Sequence, residues 1–202
     1  MPSIRILSGK YKNRRLDFPL EKGLRPTSQR LRQSAFNSLI HRFLSHRIGH
    51  ELPLEGLKVF DVFAGLGSYG FESLSLGAEH VTFIEKNFLT TRLIEGYVHQ
   101  LGVLPRVRIL CKIWPYAHPS LETFDLVFMD PPYETSPNLL SVYLESCAPL
   151  MTESSILILE SPHLIESLPS LLPLFSKKNR LAYVTFFQKK PCEPERLSSA
   201  LM

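Results

Sequence analysis

The stretch Leu57-Lys58-Val59-Phe60-Asp61-Val62-Phe63-Ala64-Gly65-Leu66-Gly67-Ser68-Tyr69-Gly70 decides how the chain is read. Its first half is a short apolar run with β-branched residues, the signature of a buried parallel strand. Glycines follow at 65, 67 and 70, and Phe71-Glu72-Ser73-Leu74 then reads as the opening of a helix. Strand, Gly-rich turn and helix is the layout that binds nucleotide-like cofactors. Glycine lets the backbone fold tightly against a ligand, and the helix N-terminus presents free N–H groups. Ordinary strand-to-helix turns also match this pattern, so the reading depends on the rest of the chain.

Downstream, strand and helix alternate. Val81-Thr82-Phe83-Ile84 is a strand ending at Glu85, and Leu89 to Leu101 is a helix stopped by Gly102. Strands follow at Val107–Cys111 and at Phe124–Met129, the latter ending at Asp130. A helix from about Asn138 to Cys147 leads to a strand at Ile156–Leu159, and Leu174–Lys177 with Ala182–Phe187 reads as a closing hairpin. Such alternation implies a parallel, doubly wound α/β sheet with its ligand at the strand C-termini. Upstream, Ile4–Leu7 and Arg14–Leu16 suggest a small basic hairpin. Thr27 or Ser28 is placed to cap a helix whose apolar side is Leu31, Ala35, Phe36, Leu39, Ile40, Phe43 and Leu44, with Arg30 and Arg32 on other faces. The expected organisation is a basic hairpin-and-helix extension over 1–50, a Rossmann-like domain over 51–190 and a flexible tail over 191–202.

The 202 residues carry a net charge of +4 that hides an asymmetry. Residues 1–50 hold 11 Lys+Arg against 2 Asp+Glu, a balance of +9, and residues 51–202 hold 12 against 17, a balance of −5. A basic segment of this kind usually meets an anionic polymer, most often nucleic acid. Arg5, Lys10, Lys12, Arg14, Arg15, Arg30 and Arg32 are its candidate phosphate ligands. No apolar run approaches the ~18–20 residues that span a bilayer, and the N-terminus has no apolar signal region. Cys111, Cys147 and Cys192 are isolated, and the seven His show no ligand spacing. A cytoplasmic protein without a disulfide framework or a metal site is expected.

Three features fall at strand C-termini: Asp61 with the Gly turn, Glu85 24 residues later, and Asp130-Pro131-Pro132-Tyr133. An acid at Glu85 can accept both hydroxyls of a ribose. A nicotinamide dinucleotide would use the same turn, but Asp61 would crowd a carboxylate towards its pyrophosphate. S-adenosylmethionine carries a sulfonium and an ammonium group instead, which a carboxylate suits. The consecutive prolines make a rigid bend lacking two N–H donors. There the Asp130 carboxylate and the Pro131 carbonyl could each accept one N–H of an exocyclic amine. Both acceptors favour pyramidalisation of that nitrogen, freeing its lone pair for in-line attack on a methyl sulfonium. Tyr133 could stack on the base and hold it out of its helix.

Asp130-Pro131-Pro132-Tyr133 is similar to the motif of amino-methyltransferases acting on exocyclic nitrogens. The wider pattern resembles the RsmD family of small-subunit (16S) ribosomal RNA (guanine-N2)-methyltransferases. The matching stretches are 5–12, Arg25-Pro26-Thr27 to Arg32 with Phe36-Asn37, Asp61 to Gly70, Phe83-Ile84-Glu85 and Phe124 to Tyr133. The resemblance implies a class I methyltransferase fold with seven strands, the last antiparallel, and S-adenosylmethionine as donor. Its implied acceptor is a guanine of small-subunit rRNA in an assembled or assembling 30S particle, met by a monomer. The implied cofactor contacts are Arg25, Thr27, Asp61, Phe63, Ala64, Gly65, Gly67, Glu85, Lys86 and Asp130, with catalysis at Asp130, Pro131, Pro132 and Tyr133. The motif alone also admits adenine N6 in DNA or RNA, or a protein glutamine, as acceptor. A dehydrogenase stands further off, and so does a non-catalytic RNA-binding module, because simple binding does not need an intact Asp-Pro-Pro-Tyr.

Overall fold

The computed structural model describes residues 3–18, 28–47, 49–116, 122–179 and 182–191. Strands β1 (Ser3–Arg5) and β2 (Arg15–Asp17) form an antiparallel hairpin, followed by helix α1 (Gln29–Phe43). Then come β3 (Lys58–Val62), α2 (Ser68–Ser75), β4 (His80–Glu85), α3 (Phe88–Leu101) and β5 (Val107–Cys111). The chain continues through β6 (Phe124–Met129), α4 (Pro137–Glu145), β7 (Met151–Ser161), β8 (Leu171–Lys178) and β9 (Tyr183–Lys189). Seven strands make one sheet in the order β5-β4-β3-β6-β7-β9-β8. β9 runs antiparallel to both its neighbours, while β3 to β7 pair in parallel. This is the class I methyltransferase fold. The chain leaves β3 towards β4 on one side and returns to β6 on the other, which opens a crevice at the carboxyl end of β3.

Side-chain alternation divides the core into two layers. Val59, Phe83, Phe128 and Ile158 pack beneath α2, α3 and α1, whereas Phe60, Ile84, Met129 and Leu159 pack against α4 and Trp114 on the opposite face. The basic extension shares the first layer: Ile4, Ile6, Leu16, Ala35, Phe36 and Leu39 are buried with the sheet. None of the helices among the described residues is long and apolar enough to cross a membrane. The sequence places the opening of α2 at Phe71, but the helix starts at Ser68, because Gly67 already closes the turn in the left-handed region (φ 77°). Thr27 and residues 192–202 lie outside the described residues, so the alternative cap and the expected tail do too. Ser28 occupies the cap position of α1 without a side-chain cap bond.

One buried carboxylate fastens the hairpin to the domain. Glu72 of α2 accepts the Leu7 N–H at 2.9 Å and the Ser8 N–H at 2.7 Å, and faces Arg32 Nε at 3.5 Å. Arg32 also donates to the Arg5 carbonyl at 2.6 Å. Gly9 fits beside this anchor because a Cβ would stand 2.0 Å from the Ser75 carbonyl oxygen. Burial raises the Glu72 carboxyl above its usual range against the pull of Leu7, Arg32 and Ser8, and burial lowers Arg32 against Glu72. Desolvation thus outweighs the pairing on both sides, so the pair acts as a fastening whose single halves are costly to keep. Glu72→Ala would strand Arg32 and two N–H groups, and urea denaturation should show a loss of about 3–5 kcal/mol. Glu72→Gln, which still accepts one N–H, should lose less. Two variants as stable as the parent would mean that the hairpin is held by its apolar side chains alone.

Candidate active site

Strand parity gathers the acids. Asp61, Glu85, Asp130 and Glu160 each lie an even number of residues after a first-layer residue (Val59, Phe83, Phe128 and Ile158), so all four project towards the α1–α2 face. Register sets their depth. Asp61 pairs with Phe83 and Phe128, two residues below Glu85 and Asp130, and Leu159 opposite Met129 brings Glu160 level with Asp130.

The Gly turn is wired to two of these acids. Asp61 is 2% exposed and its Oδ2 accepts the Gly70 N–H of the first turn of α2 at 2.9 Å, capping the helix from the strand end. Burial raises its carboxyl well above the usual range, with Asp130 and Glu85 adding to the rise and the Gly70 N–H opposing it. Glu85 accepts the Gly65 N–H at 3.0 Å with one oxygen and the Asn87 N–H at 2.8 Å with the other. Each oxygen keeps a lone pair for a hydroxyl. Gly70 admits no side chain, since a Cβ would meet the Phe83 ring at 2.1 Å. Phe63 holds φ at 60°, a strained setting for a non-glycine residue, with its ring 4.9 Å from that of Tyr143.

On the other side of Asp61, Tyr69 of α2 donates its hydroxyl to Glu160 Oε2 at 2.9 Å. The Tyr69 ring stacks on Phe128 at 4.8 Å and approaches Phe36 of α1 at 6.0 Å. Asp130 is half-buried, Pro131 is buried and Tyr133 is 48% exposed. The Thr135 N–H donates to the Pro132 carbonyl at 2.9 Å and closes the bend. Four carboxyl groups gather around the Gly turn, with Asp61 and Glu160 holding their protons more tightly than an exposed acid, and a cationic ligand would favour their ionised forms.

The family model described as conserved hypothetical protein 95 matches residues 4–186. The chain belongs to the RsmD family. Ribosomal RNA small subunit methyltransferase D of Haemophilus influenzae is 31% identical over 140 residues, covering 64% of each chain. The uncharacterized methylase RP545 of Rickettsia prowazekii is 32% identical over 107 residues, covering 53% of this chain and 44% of that one. The chain thus spans less than two thirds of the length of either relative. The solved structure of the methyltransferase yhhF from Escherichia coli superposes with a TM-score of 0.73 at 23% identity, covering 94% of this chain and 99% of that one. SMU.776, solved as a methyltransferase complexed with SAH, superposes with a TM-score of 0.59 at 13% identity, covering 77% of this chain and 48% of that one.

Within this RsmD-family chain, Asp61, Phe63, Ala64, Gly65, Gly67, Glu85 and Asp130 to Tyr133 come together at the ends of β3, β4 and β6. Lys86 is exposed one residue beyond Glu85, and its carbonyl accepts the Cys111 thiol at 3.8 Å. Arg25 and Thr27 lie outside the described residues. Arg5, Lys10, Lys12, Arg14, Arg15 and Arg30 are exposed. Arg32 is a correction. At 1% exposure, committed to Glu72 and the Arg5 carbonyl, it cannot neutralise an RNA phosphate. Glu160 and Tyr69 were not among the expected site residues. Glu160 nevertheless carries the signal that marked Glu85 and Asp130, an acid directly after an apolar strand run.

Burial, and then Asp130, push the Glu160 carboxyl from 4.5 up to about 8, against the Tyr69 hydrogen bond. A carboxyl raised on folding keeps its proton in the folded chain after the unfolded chain has released it. Its contribution to stability is therefore full below pH 4.5 and is lost as pH rises through about 8. Glu160→Gln cannot titrate and still accepts the Tyr69 hydroxyl. The difference in Tm between this variant and the parent should grow in the variant's favour from pH 4.5 to about 8 and then level off. Parallel Tm curves across that range would show that Glu160 ionises as freely in the folded chain as in the unfolded one.

Proposed function

We propose that the chain is an S-adenosylmethionine-dependent methyltransferase acting on the exocyclic N2 amine of a guanine in small-subunit ribosomal RNA. Convergence of Asp61, Glu85, Asp130 and Glu160 on one face, around a Gly turn, carries the reading. The donor set fits the cofactor: carboxylates would hold its ammonium and sulfonium, the Glu85 lone pairs would suit ribose hydroxyls, and Gly65, where an added Cβ would meet only the Phe63 carbonyl oxygen at 3.9 Å, leaves the turn open to close approach. Phe63, Ala64, Gly65 and Gly67 line that turn, and Arg25, Thr27 and Lys86 are further candidate contacts. Bound S-adenosylmethionine supplies an electrophilic methyl group on a cationic sulfur.

The chain's own residues prepare the nucleophile. The Asp130 carboxylate and the Pro131 carbonyl accept the two N–H groups of the amine, which holds its lone pair towards the methyl group. The bend closed between Pro132 and Thr135 keeps these acceptors rigid, and the exposed Tyr133 ring stacks on the everted base. The Haemophilus relative is named for small-subunit rRNA, and the exposed cations of the hairpin suit an RNA backbone. The acceptor is an assembled or assembling 30S particle in the cytoplasm, met by a monomer.

Because Asp130 acts chiefly on the transition state, Asp130→Ala should lower the single-turnover methyl-transfer rate by about 10²–10³, a larger factor than its loss of S-adenosylmethionine affinity in calorimetry. Asp130→Asn, which keeps an acceptor oxygen without the charge, should fall between parent and Ala. An Ala variant within about threefold of the parent, far short of the loss expected for a preorganised polar contact, would reduce Asp130 to a turn residue.

A further inference from the structure

We propose that the groove between α1 and the edge strand β8 carries the sugar-phosphate backbone of the substrate RNA past the carboxylate site; this rests on the reading of RNA as substrate. The groove has a volume of about 460 Å³ and is lined by Arg30, Gln33, Asn37, His41 and Arg42 of α1 and by Lys177 of β8. No acid lines it among the described residues, and no Asp or Glu occurs between Glu21 and Glu51. The chain is otherwise rich in acids, so this surface stays cationic without local compensation.

Its position ties it to the site. Lys177 pairs with Val184, and Val184 pairs with Glu160, so Lys177 stands level with Glu160 at the carboxyl end of the sheet. The two are separated by two strand spacings, roughly 10 Å. The ring of Phe36 of α1 lies 5.0 Å from Phe128, two residues before Asp130, and Phe43 lies 5.1 Å from Phe186 of β9. The helix therefore crosses the sheet from the strand that bears Asp130 towards β8. Arg42 lies 3.9 Å from the Phe175 ring centroid of β8, which fixes its guanidinium at the groove wall.

Arg30, Gln33, Asn37 and His41 recur every three or four residues and form one stripe of the helix. From Arg30 to His41 the stripe covers about 17 Å at 1.5 Å per residue, room for several nucleotides of single strand. Its cations can neutralise phosphates, and its amides can hydrogen-bond sugar or phosphate oxygens. The groove adds a second RNA contact to the hairpin, on the other side of the crevice from β4.

The test measures anisotropy of a fluorescein-labelled, mixed-sequence 12-nucleotide single-stranded RNA across a range of salt. Arg30→Gln with Lys177→Gln should lower the log–log salt slope by about 1.4, two contacts at about 0.7 each. Lys177→Glu should weaken binding further, and calorimetric S-adenosylmethionine affinity should stay at the parent value in both. Both positions are exposed, and unchanged melting curves will establish that the variants fold. If the parent binds and these variants keep its slope while Arg14→Gln with Arg15→Gln lowers it, the groove is overturned and the RNA reading stands. If the parent fails to bind the RNA at any salt, the groove is overturned, while the RNA reading falls only if small-subunit particles also fail to bind the parent.

Discussion

Alternation along a strand is the constraint on which the site depends. A β-strand sends successive side chains to opposite faces, so four acids meet only if all four share one parity and the registers bring their strand ends together. Asp61, Glu85, Asp130 and Glu160 satisfy both conditions, across β3, β4, β6 and β7. A one-residue slip in any of these strands would send its acid into the apolar layer of Phe60, Met129 and Leu159. The gathered carboxyls lose hydration on burial and, to a lesser extent, repel each other, which is why Asp61 and Glu160 hold their protons more tightly than an exposed acid does. A cationic ligand relieves that repulsion, which a dinucleotide pyrophosphate would aggravate.

The same helix that carries the Gly turn also holds the extension. Within α2, Gly70 donates to Asp61, Tyr69 donates to Glu160, and Glu72 takes the N–H groups of Leu7 and Ser8. Three residues in four thus link the crevice at the Gly turn, the acid beside Asp130 and the basic hairpin. The hairpin is accordingly part of the first core layer. Cations at its surface therefore keep fixed positions relative to the crevice.

The parts legible in sequence were those marked by abrupt changes of polarity. β5 and β6 have the boundaries that their apolar runs suggest, and Gly102 ends α3 in the left-handed conformation expected of a C-terminal glycine. β7 begins five residues before its apolar run, because Thr152 to Ser155 are polar and bond locally, with Ser155 donating to the Phe124 carbonyl at 2.7 Å. Glu85 and Asp130 stood out because an acid after an apolar run has nowhere to go except a strand end. Glu160 shows the same mark, but Ser161-Pro162 after it resembles an ordinary turn. Tyr69, Glu72 and Arg32 were not legible in their roles. Charged and phenolic groups are exposed by default, and only partners far away in sequence, 65 residues for Glu72 and Leu7, make their burial tolerable.

The central claim is that this acid-lined crevice transfers a methyl group to the exocyclic amine of a guanine in small-subunit rRNA. The most direct measurement supplies the protein with tritiated-methyl S-adenosylmethionine and small-subunit particles from a strain lacking the gene. The rRNA is then digested, and the labelled nucleoside is identified by mass spectrometry. The account predicts label in N2-methylguanosine. Label in N6-methyladenosine, or none in rRNA while S-adenosylmethionine binds normally, would contradict it.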